Sequence, residues 1–250
     1  MIEPERMVQP TAEARPVRWG VGDAVVGWLV ANFGAVVIGS AIIAAAGYTD
    51  IHTNHYPLWL IAVLQIPLWF GYLGSVLYAA WQRGNGLRTD FRAWSRPVPD
   101  LALGVVVGVA CQFLLVPLVS LPWVKLLEHL QNKKIDLSKV ARDLTDKAND
   151  PLGVVLLVLI VAIGAPFVEE LFFRGLLLRS LERKWGVTVA LFGSAIVFGA
   201  THFELAQLPA LIAFGLVLAW LAFRFDRLGP SVAAHLSFNT ASVILLLTHH

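Results

Sequence analysis

Long apolar stretches with almost no charge constrain this 250-residue chain more than any other feature. The charged side chains cluster at 1–23, 82–100, 124–150 and 179–186. They make up only 14% of the chain, against about 25% in a typical soluble domain. Hydrophobic residues reach 57% and the mean hydropathy is +0.70. This pattern excludes a disordered chain, a nucleic-acid-binding protein and a disulfide scaffold, since Cys111 is the single cysteine. It is typical of a polytopic membrane protein.

The apolar stretches predict an all-α fold, a polytopic transmembrane helix bundle. A bilayer core of about 30 Å takes roughly 20 apolar residues in a helix, and lipid requires the backbone to satisfy its own hydrogen bonds. No alternation with a period of two residues indicates a barrel. About seven spans are predicted, at 24–47, 57–81, 101–123, 152–178, 187–203, 207–223 and 230–248.

The segment 124–150 is charged but amphipathic. It is expected to lie on the membrane surface, over the helix bundle, or half inserted as an eighth helix. Its apolar stripe consists of Leu137, Val140, Ala141, Leu144 and Ala148.

The basic residues of the loops predict a cytoplasmic N-terminus, because Lys and Arg favour the inner side. Twelve of them fall in the inner segments, and the outer links at 48–56 and 204–206 hold none. A signal peptide within 1–47 is disfavoured, since its polar lead and its apolar core are both too long. We therefore expect a cytoplasmic tail at 1–23, two accessory transmembrane helices with a basic loop at 24–100, and a core at 101–250.

A few ionisable side chains lie inside the predicted spans, where a charge costs at least about 2.5 kcal/mol. Glu170 and Arg174 are four residues apart, so they share a helical face and can pair. Glu169 points about 100° away and is free to act as a general base. His202 and His235 lie on later spans. We interpret these five residues as a candidate site.

Position along the helices gives a first test of whether these groups meet. Counting 1.5 Å per residue from predicted cytoplasmic ends near 179, 187 and 229 places Glu169, His202 and His235 about 15, 22 and 9 Å deep. Gly164 and Pro166 predict a kink just before the glutamates. Convergence near the midplane is expected.

Other intramembrane protease signatures are missing or incomplete. There is no HExxH string for a zinc protease and no Gly-x-Ser-Gly nucleophile of the rhomboid type. Gly20-Val21-Gly22-Asp23 matches the Gly-x-Gly-Asp string of presenilin-like aspartyl proteases, but no preceding helix supplies a second aspartate. Asp23 is interpreted as a helix N-cap.

Three pairs of residues occur in order on successive predicted spans: Glu169-Glu170 with Arg174, Phe198 with His202, and His235 with Asn239. In this order and spacing they resemble the motifs of the CPBP family. That family is the CAAX prenyl-protease and bacteriocin-processing group, also called Abi proteins and related to the Rce1 endoprotease. The resemblance covers about residues 150–247.

The resemblance implies an intramembrane endopeptidase in a bacterial plasma membrane. Glu169 and His202 would orient and deprotonate a water, and His235 and Asn239 would stabilise the oxyanion. Glu170, Arg174 and Phe198 would support this geometry. Glu169, His202 and His235 would also suit a catalytic zinc, although a metal-free site is favoured because Asn239 is a poor zinc ligand.

Two other classes of function stay open at this point. One is a non-catalytic membrane scaffold or bacteriocin-immunity-type protein of the same fold, and the other is a transporter or proton relay. The expected partners are the bilayer and a peptide or protein substrate, either lipidated or membrane-embedded, with no nucleic acid. The sequence does not identify the substrate or the oligomeric state.

Overall fold

The computed structural model describes residues 16–48, 56–137, 139–148 and 150–248, and within these ranges the chain is helical without a β-strand. This confirms the predicted all-α helix bundle. The predicted tail at 1–23 and the outer link at 48–56 fall largely outside the described residues. In chain order the helices are α1 (Val21–Ala45), α2 (Leu58–Gln82), the short α3 (Leu87–Asp90), α4 (Pro97–Gln131), α5 (Lys139–Thr145), the run Pro151–Thr201, α8 (Leu208–Arg224) and α9 (Gly229–Thr248).

The run Pro151–Thr201 is two helices joined by a single residue. Gly186 has φ 83° and ψ 176°, a non-helical conformation that glycine adopts without steric cost. We call residues 151–185 α6 and residues 187–201 α7. The two fold back on each other: Gly193 approaches the Leu181 side chain, and the Phe173 ring lies 5.3 Å from Phe198. α6 and α7 therefore form a hairpin with almost no loop.

The helices differ in how well they suit a bilayer crossing. Among the described residues, five helical runs are long and apolar enough to cross: α1, α2, α4, Pro151–Thr201 and α9. α8 has 17 residues and is shorter. The division at Gly186 makes two helices of the 51-residue run, and the count of seven spans stays a prediction. α6 continues to residue 185, seven residues past the predicted end of the fourth span at 178.

The segment 124–150 divides into the end of α4, a turn and the seven-residue α5. At 1.5 Å per residue α5 is about 10 Å long, so it does not cross a bilayer as an eighth helix. Ala148 is buried and Leu144 packs beside it, against a small cluster of Leu58, Leu157 and Val243. The predicted stripe thus covers the bundle in part. The side chains of Val140 and Ala141 lie outside the described part of the chain.

The two N-terminal helices pack directly into the central core. A Cβ on Gly71 would lie 2.4 Å from the Ala31 Cα, so only glycine allows α1 and α2 to approach this closely. The Tyr72 ring lies 4.4 Å from Phe172 of α6. The two helices predicted as accessory thus contribute directly to the central packing. The domain boundary at residue 100 stays a prediction.

The start of α1 corrects one expectation. The N-cap is Gly20, and Asp23 is the third helical residue. Its carboxylate accepts a hydrogen bond from the Gly20 N–H at 2.9 Å and pairs with Arg83 at 3.0 Å. Asp23 still satisfies the helix start, from three positions further along.

A buried ion pair ties the start of α4 to the link between α8 and α9. Arg227 contacts both carboxylate oxygens of Asp100 at 2.6–3.0 Å. These hydrogen bonds raise the pKa of the Arg227 guanidinium above its usual value. The backbone N–H groups of Leu228 and Gly229 donate to the carbonyls of Arg92 and Trp94. The basic loop before α4 is therefore docked against the beginning of α9.

Candidate active site

α6 is not a regular α-helix where it carries the candidate residues. Two π-helical segments, Val158–Gly164 and Glu170–Leu177, flank the α-helical Ala165–Glu169. The kink expected from Gly164 and Pro166 thus takes the form of widened turns, which recur at functional sites. Gly164 is required here, because a Cβ would lie 2.2 Å from the Trp69 ring.

Glu170 and Arg174 form the expected pair, and His235 joins them. The Arg174 Nη1 lies 2.8 Å from Glu170 Oε1, and both side chains are fully buried. The same Oε1 lies 3.0 Å from His235 Nδ1. Arg174 also donates to the Gly215 carbonyl at 3.3 Å. A carboxylate acceptor at Nδ1 fixes the orientation of the His235 ring and directs Nε2 away from the pair.

Glu169 lies on the other side of His235 and is less enclosed. Its side chain is 20% exposed, and its Oε2 lies 3.8 Å from His235 Nε2. This distance is too long for a hydrogen bond. It allows one water to contact both atoms at about 2.8 Å, with an angle of roughly 85° at the water oxygen. The geometry suits a water held between a carboxylate and an imidazole.

His202 lies in a different environment from His235. It is the C-cap of α7 and is exposed, whereas His235 is buried. The predicted difference in depth between Glu169 and His202 disappears, because α6 extends to residue 185 and lengthens the count for Glu169. Glu169 lies 17 residues before Gly186 and His202 lies 16 after it, so both reach about the same height. The His202 Nδ1 contacts the Phe198 carbonyl at 2.8 Å, which leaves Nε2 for another partner.

Phe198 lies at the centre of the group. The guanidinium carbon of Arg174 is 4.3 Å from its ring centroid. The His202 and His235 rings meet it edge to face, at 4.9 and 5.7 Å. Phe214 contacts His235 from a further side, at 5.4 Å. Phe198 therefore contacts both imidazoles and covers the buried cation.

Asn239 has a partner that the sequence did not indicate. Its Nδ2 donates to the Val161 carbonyl at 2.8 Å, within the first π-helical segment of α6. One N–H of the amide is thereby used to hold α9 against α6. The second N–H of the same amide is available for another acceptor.

Sequence reasoning missed a polar network supplied by α1 and α2. The Trp28 indole donates to the Thr201 hydroxyl at 2.8 Å, one residue before His202. Asn32 donates to the Tyr72 hydroxyl at 3.1 Å. The signal was present, since polar groups inside an apolar span are rare and usually face a partner. These contacts join the N-terminal helices to the end of α7.

The residues as arranged do not form a metal site. Within the described ranges, no group of three His, Cys, Asp or Glu side chains is close enough together to hold a metal ion. The predicted zinc set of Glu169, His202 and His235 is thus not assembled here, and we derive no catalytic step through a metal.

The segment that holds these motifs also matches known proteins. Residues 151–241 match the model of a family described as "Type II CAAX prenyl endopeptidase Rce1-like". This match supports the predicted resemblance of the segment to the CPBP family. All three motif pairs, from Glu169 to Asn239, lie inside the matched segment. With its apolar helices, the chain is an integral membrane protein.

A similar protein is "Putative membrane peptidase YdiL" of Bacillus subtilis (strain 168), which is 33% identical over 95 residues. The match covers 38% of this chain and 39% of that relative. The chain thus spans well under half the length of the curated relative it matches. No solved structure matches the chain.

Proposed function

We propose that this chain is an intramembrane endopeptidase that hydrolyses a peptide bond with a water activated by Glu169. One observation carries the proposal: His235 lies between a buried, paired glutamate and a more accessible glutamate, 3.0 Å from the first and 3.8 Å from the second. The difference in burial and pairing gives the two carboxylates separate roles. Glu170 orients the histidine, and Glu169 is left to accept a proton.

In the proposed reaction, Glu169 accepts a proton as the water oxygen attacks the carbonyl carbon of the scissile bond. The carbonyl oxygen becomes an oxyanion. When the carbon–nitrogen bond breaks, the same proton passes from Glu169 to the leaving amine. His202 orients the water through its free Nε2.

The oxyanion receives hydrogen bonds from His235 Nε2 and the second N–H of Asn239 in this proposal. His235 acts in its doubly protonated form, with Nδ1–H donating to Glu170. Two carboxylates, one guanidinium and one imidazolium then sum to zero charge, which suits a buried cluster. Arg174 and Phe198 hold these groups in place and do not touch the substrate.

The proposed substrate is a peptide or protein chain that reaches the site from the bilayer, lipidated or membrane-embedded. The matched family carries "CAAX prenyl endopeptidase" in its description, and a CAAX-like C-terminal peptide is the first substrate to try. We also propose that the N-terminus is cytoplasmic and that the membrane is a bacterial plasma membrane. A tag on the N-terminus that is protected from protease in right-side-out vesicles would support this orientation.

The central experiment compares Glu169→Gln with wild type and with the control Glu182→Gln. Glu182 is 13 residues further along α6 and pairs with Arg179 at 3.0 Å, so the control removes a carboxylate outside the site. New peptide termini in membranes of cells that express each protein are counted by mass spectrometry. Loss of the general base should lower cleavage by about 10²–10⁴-fold, and Glu182→Gln should cleave normally.

Two outcomes would contradict the proposal. If Glu169→Gln cleaves at the wild-type rate, the carboxylate does not activate the water. If wild type adds no termini over cells that lack the protein, and all variants give the wild-type phenotype, the alternative of a non-catalytic scaffold or immunity-type protein is correct.

The proposed chemistry is metal-free, and a chelator tests this separately. Purified enzyme treated with a strong chelator and then freed of it should retain its cleavage rate. A loss that added zinc restores would show that the site rearranges around a metal.

A further inference from the structure

An open groove runs between α1 and α2. It consists of two adjoining cavities of about 790 and 480 Å³ that share Val30, Phe70 and Gly71 as lining residues. From Asp23 at one end to Ile42 at the other is 19 residues. At 1.5 Å per residue this is about 28 Å, close to the thickness of a hydrocarbon core. We call it the α1–α2 groove.

One end of the α1–α2 groove is polar and positively charged. Its lining includes Arg18, Arg83 and Asp23. Arg83 pairs with Asp23 at 3.0 Å and its side chain is still 40% exposed. Arg18 is exposed, and its guanidinium has no carboxylate partner among the described residues. Two arginines against one carboxylate leave a net positive charge.

A buried donor at this end also lacks an acceptor. Trp19 lines the same cavity and is 4% exposed. Within the described part of the chain, its indole N–H has no hydrogen-bond partner. A buried polar group without a partner is costly, and this one packs beside Gly84 and Phe91 at the same end of the groove.

The rest of the groove is apolar and is kept open by glycines. A Cβ on Gly74 or Gly22 of the larger cavity, or on Gly34 of the smaller one, would meet no atom within 4 Å. Gly71 is different, because it is needed where the two helices touch. The three open glycines therefore do not serve helix packing, and they leave room for something else.

We propose that the α1–α2 groove binds an anionic glycerophospholipid. The phosphate lies against Arg18 and Arg83, and an acyl chain follows the apolar groove. Basic pockets between transmembrane helices suit phospholipid headgroups. One leaflet is about half of the core, so the chain would extend along roughly ten residues of α1, from Asp23 to about Phe33. This site uses none of the proposed catalytic residues and does not depend on the proposed function.

Native mass spectrometry of the full-length protein in detergent tests this proposal. Phosphatidylglycerol and phosphatidylcholine with identical acyl chains are titrated, and inorganic phosphate is added as a competitor. Wild type should bind one phosphatidylglycerol in preference to phosphatidylcholine, unaffected by phosphate. Arg18→Gln should lower phosphatidylglycerol affinity about fivefold, which corresponds to about 1 kcal/mol for one basic residue, and leave phosphatidylcholine unchanged.

The groove itself is tested by filling it. Gly74→Leu should weaken both lipids about tenfold or more, equivalent to about 1.4 kcal/mol. Gly22→Leu, in the same larger cavity, serves as a second filling variant if the first does not fold. Val37→Leu is the matched control, since Val37 is 69% exposed and lines neither cavity.

Specific results would overturn the proposal. The first is that Arg18→Gln prefers phosphatidylglycerol to phosphatidylcholine as strongly as wild type does. The second is that the filled variants bind both lipids with wild-type affinity. Displacement of the lipid by inorganic phosphate would mean that the arginines bind a free anion. A dimer that is lost in Gly74→Leu would mean that a second copy of the chain occupies the groove.

Discussion

Replacing Arg174 by methionine removes the most enclosed charge of the candidate site. The residue is fully buried, 2.8 Å from Glu170, and its guanidinium carbon is 4.3 Å from the Phe198 centroid. Breaking a buried ion pair by removing one partner costs about 3–5 kcal/mol, because it leaves the other charge unpaired. The lost contact with the aromatic ring adds about 0.5–2 kcal/mol. We expect Arg174→Met to lower the free energy of unfolding by at least about 3 kcal/mol.

The double variant Glu170→Gln/Arg174→Met separates charge from packing. It removes both charges of the pair, and the amide oxygen of the introduced glutamine can still accept a hydrogen bond from His235. About 2–3 kcal/mol should therefore be recovered relative to Arg174→Met. Unfolding by SDS in mixed micelles measures the wild type, both single variants and the double variant. The reasoning fails if Arg174→Met lies within about 1 kcal/mol of wild type, or if the double variant is less stable than Arg174→Met.

Three further predictions concern the same unfolding measurement. Gly71→Ala should lower the free energy of unfolding by about 1–3 kcal/mol, because its Cβ meets the backbone of the opposite helix. Gly74→Ala should raise it by about 0.5–1 kcal/mol, because a Cβ there meets no other atom. Equal effects of the two substitutions would contradict this. Trp28→Phe should cost about 0.6 kcal/mol, the average for an interhelical hydrogen bond in a membrane protein, through its lost bond to Thr201; a cost that persists when Thr201→Val is already present would contradict it. Asp100→Asn should cost about 3 kcal/mol by leaving its buried arginine partner without a counter-charge; an unchanged midpoint would show that the pair is solvated.

The sequence was sufficient for the fold class because few arrangements suit long apolar runs. Helix ends were predicted within a few residues in most cases, since apolar periodicity and charge clusters mark them. The third and fourth spans were the exceptions: α4 runs eight residues past the predicted end at 123, and α6 runs seven past the predicted end of the fourth span. The predicted end at 178 preceded Arg179, yet α6 continues because Arg179 is held by Glu182 and by the Ala222 carbonyl.

The candidate site was predicted in part for a similar reason. The Glu170–Arg174 pair follows from helical spacing alone, and motif order pointed to His235. The hydrogen bond from Asn239 to Val161 and the contacts of Phe198 with both imidazoles could not be predicted. They depend on two π-helical segments that no local sequence pattern predicts. The exposure of His202 depends on where α7 stops, which is decided by tertiary contacts such as Trp28 with Thr201.

Because the chain reverses direction at the single residue Gly186, the number of residues on each side of it sets the relative position of Glu169 and His202. Glu169 is 17 residues before it and His202 is 16 after it, so the arms match to within one residue. One residue inserted into either arm would displace its candidate residue by about 1.5 Å and rotate it by about 100°. A longer surface loop could accommodate such an insertion by changing its conformation, but a one-residue turn cannot. Length variation between residues 169 and 202 should therefore be tolerated only when it occurs in both arms at once, in equal numbers and in whole turns.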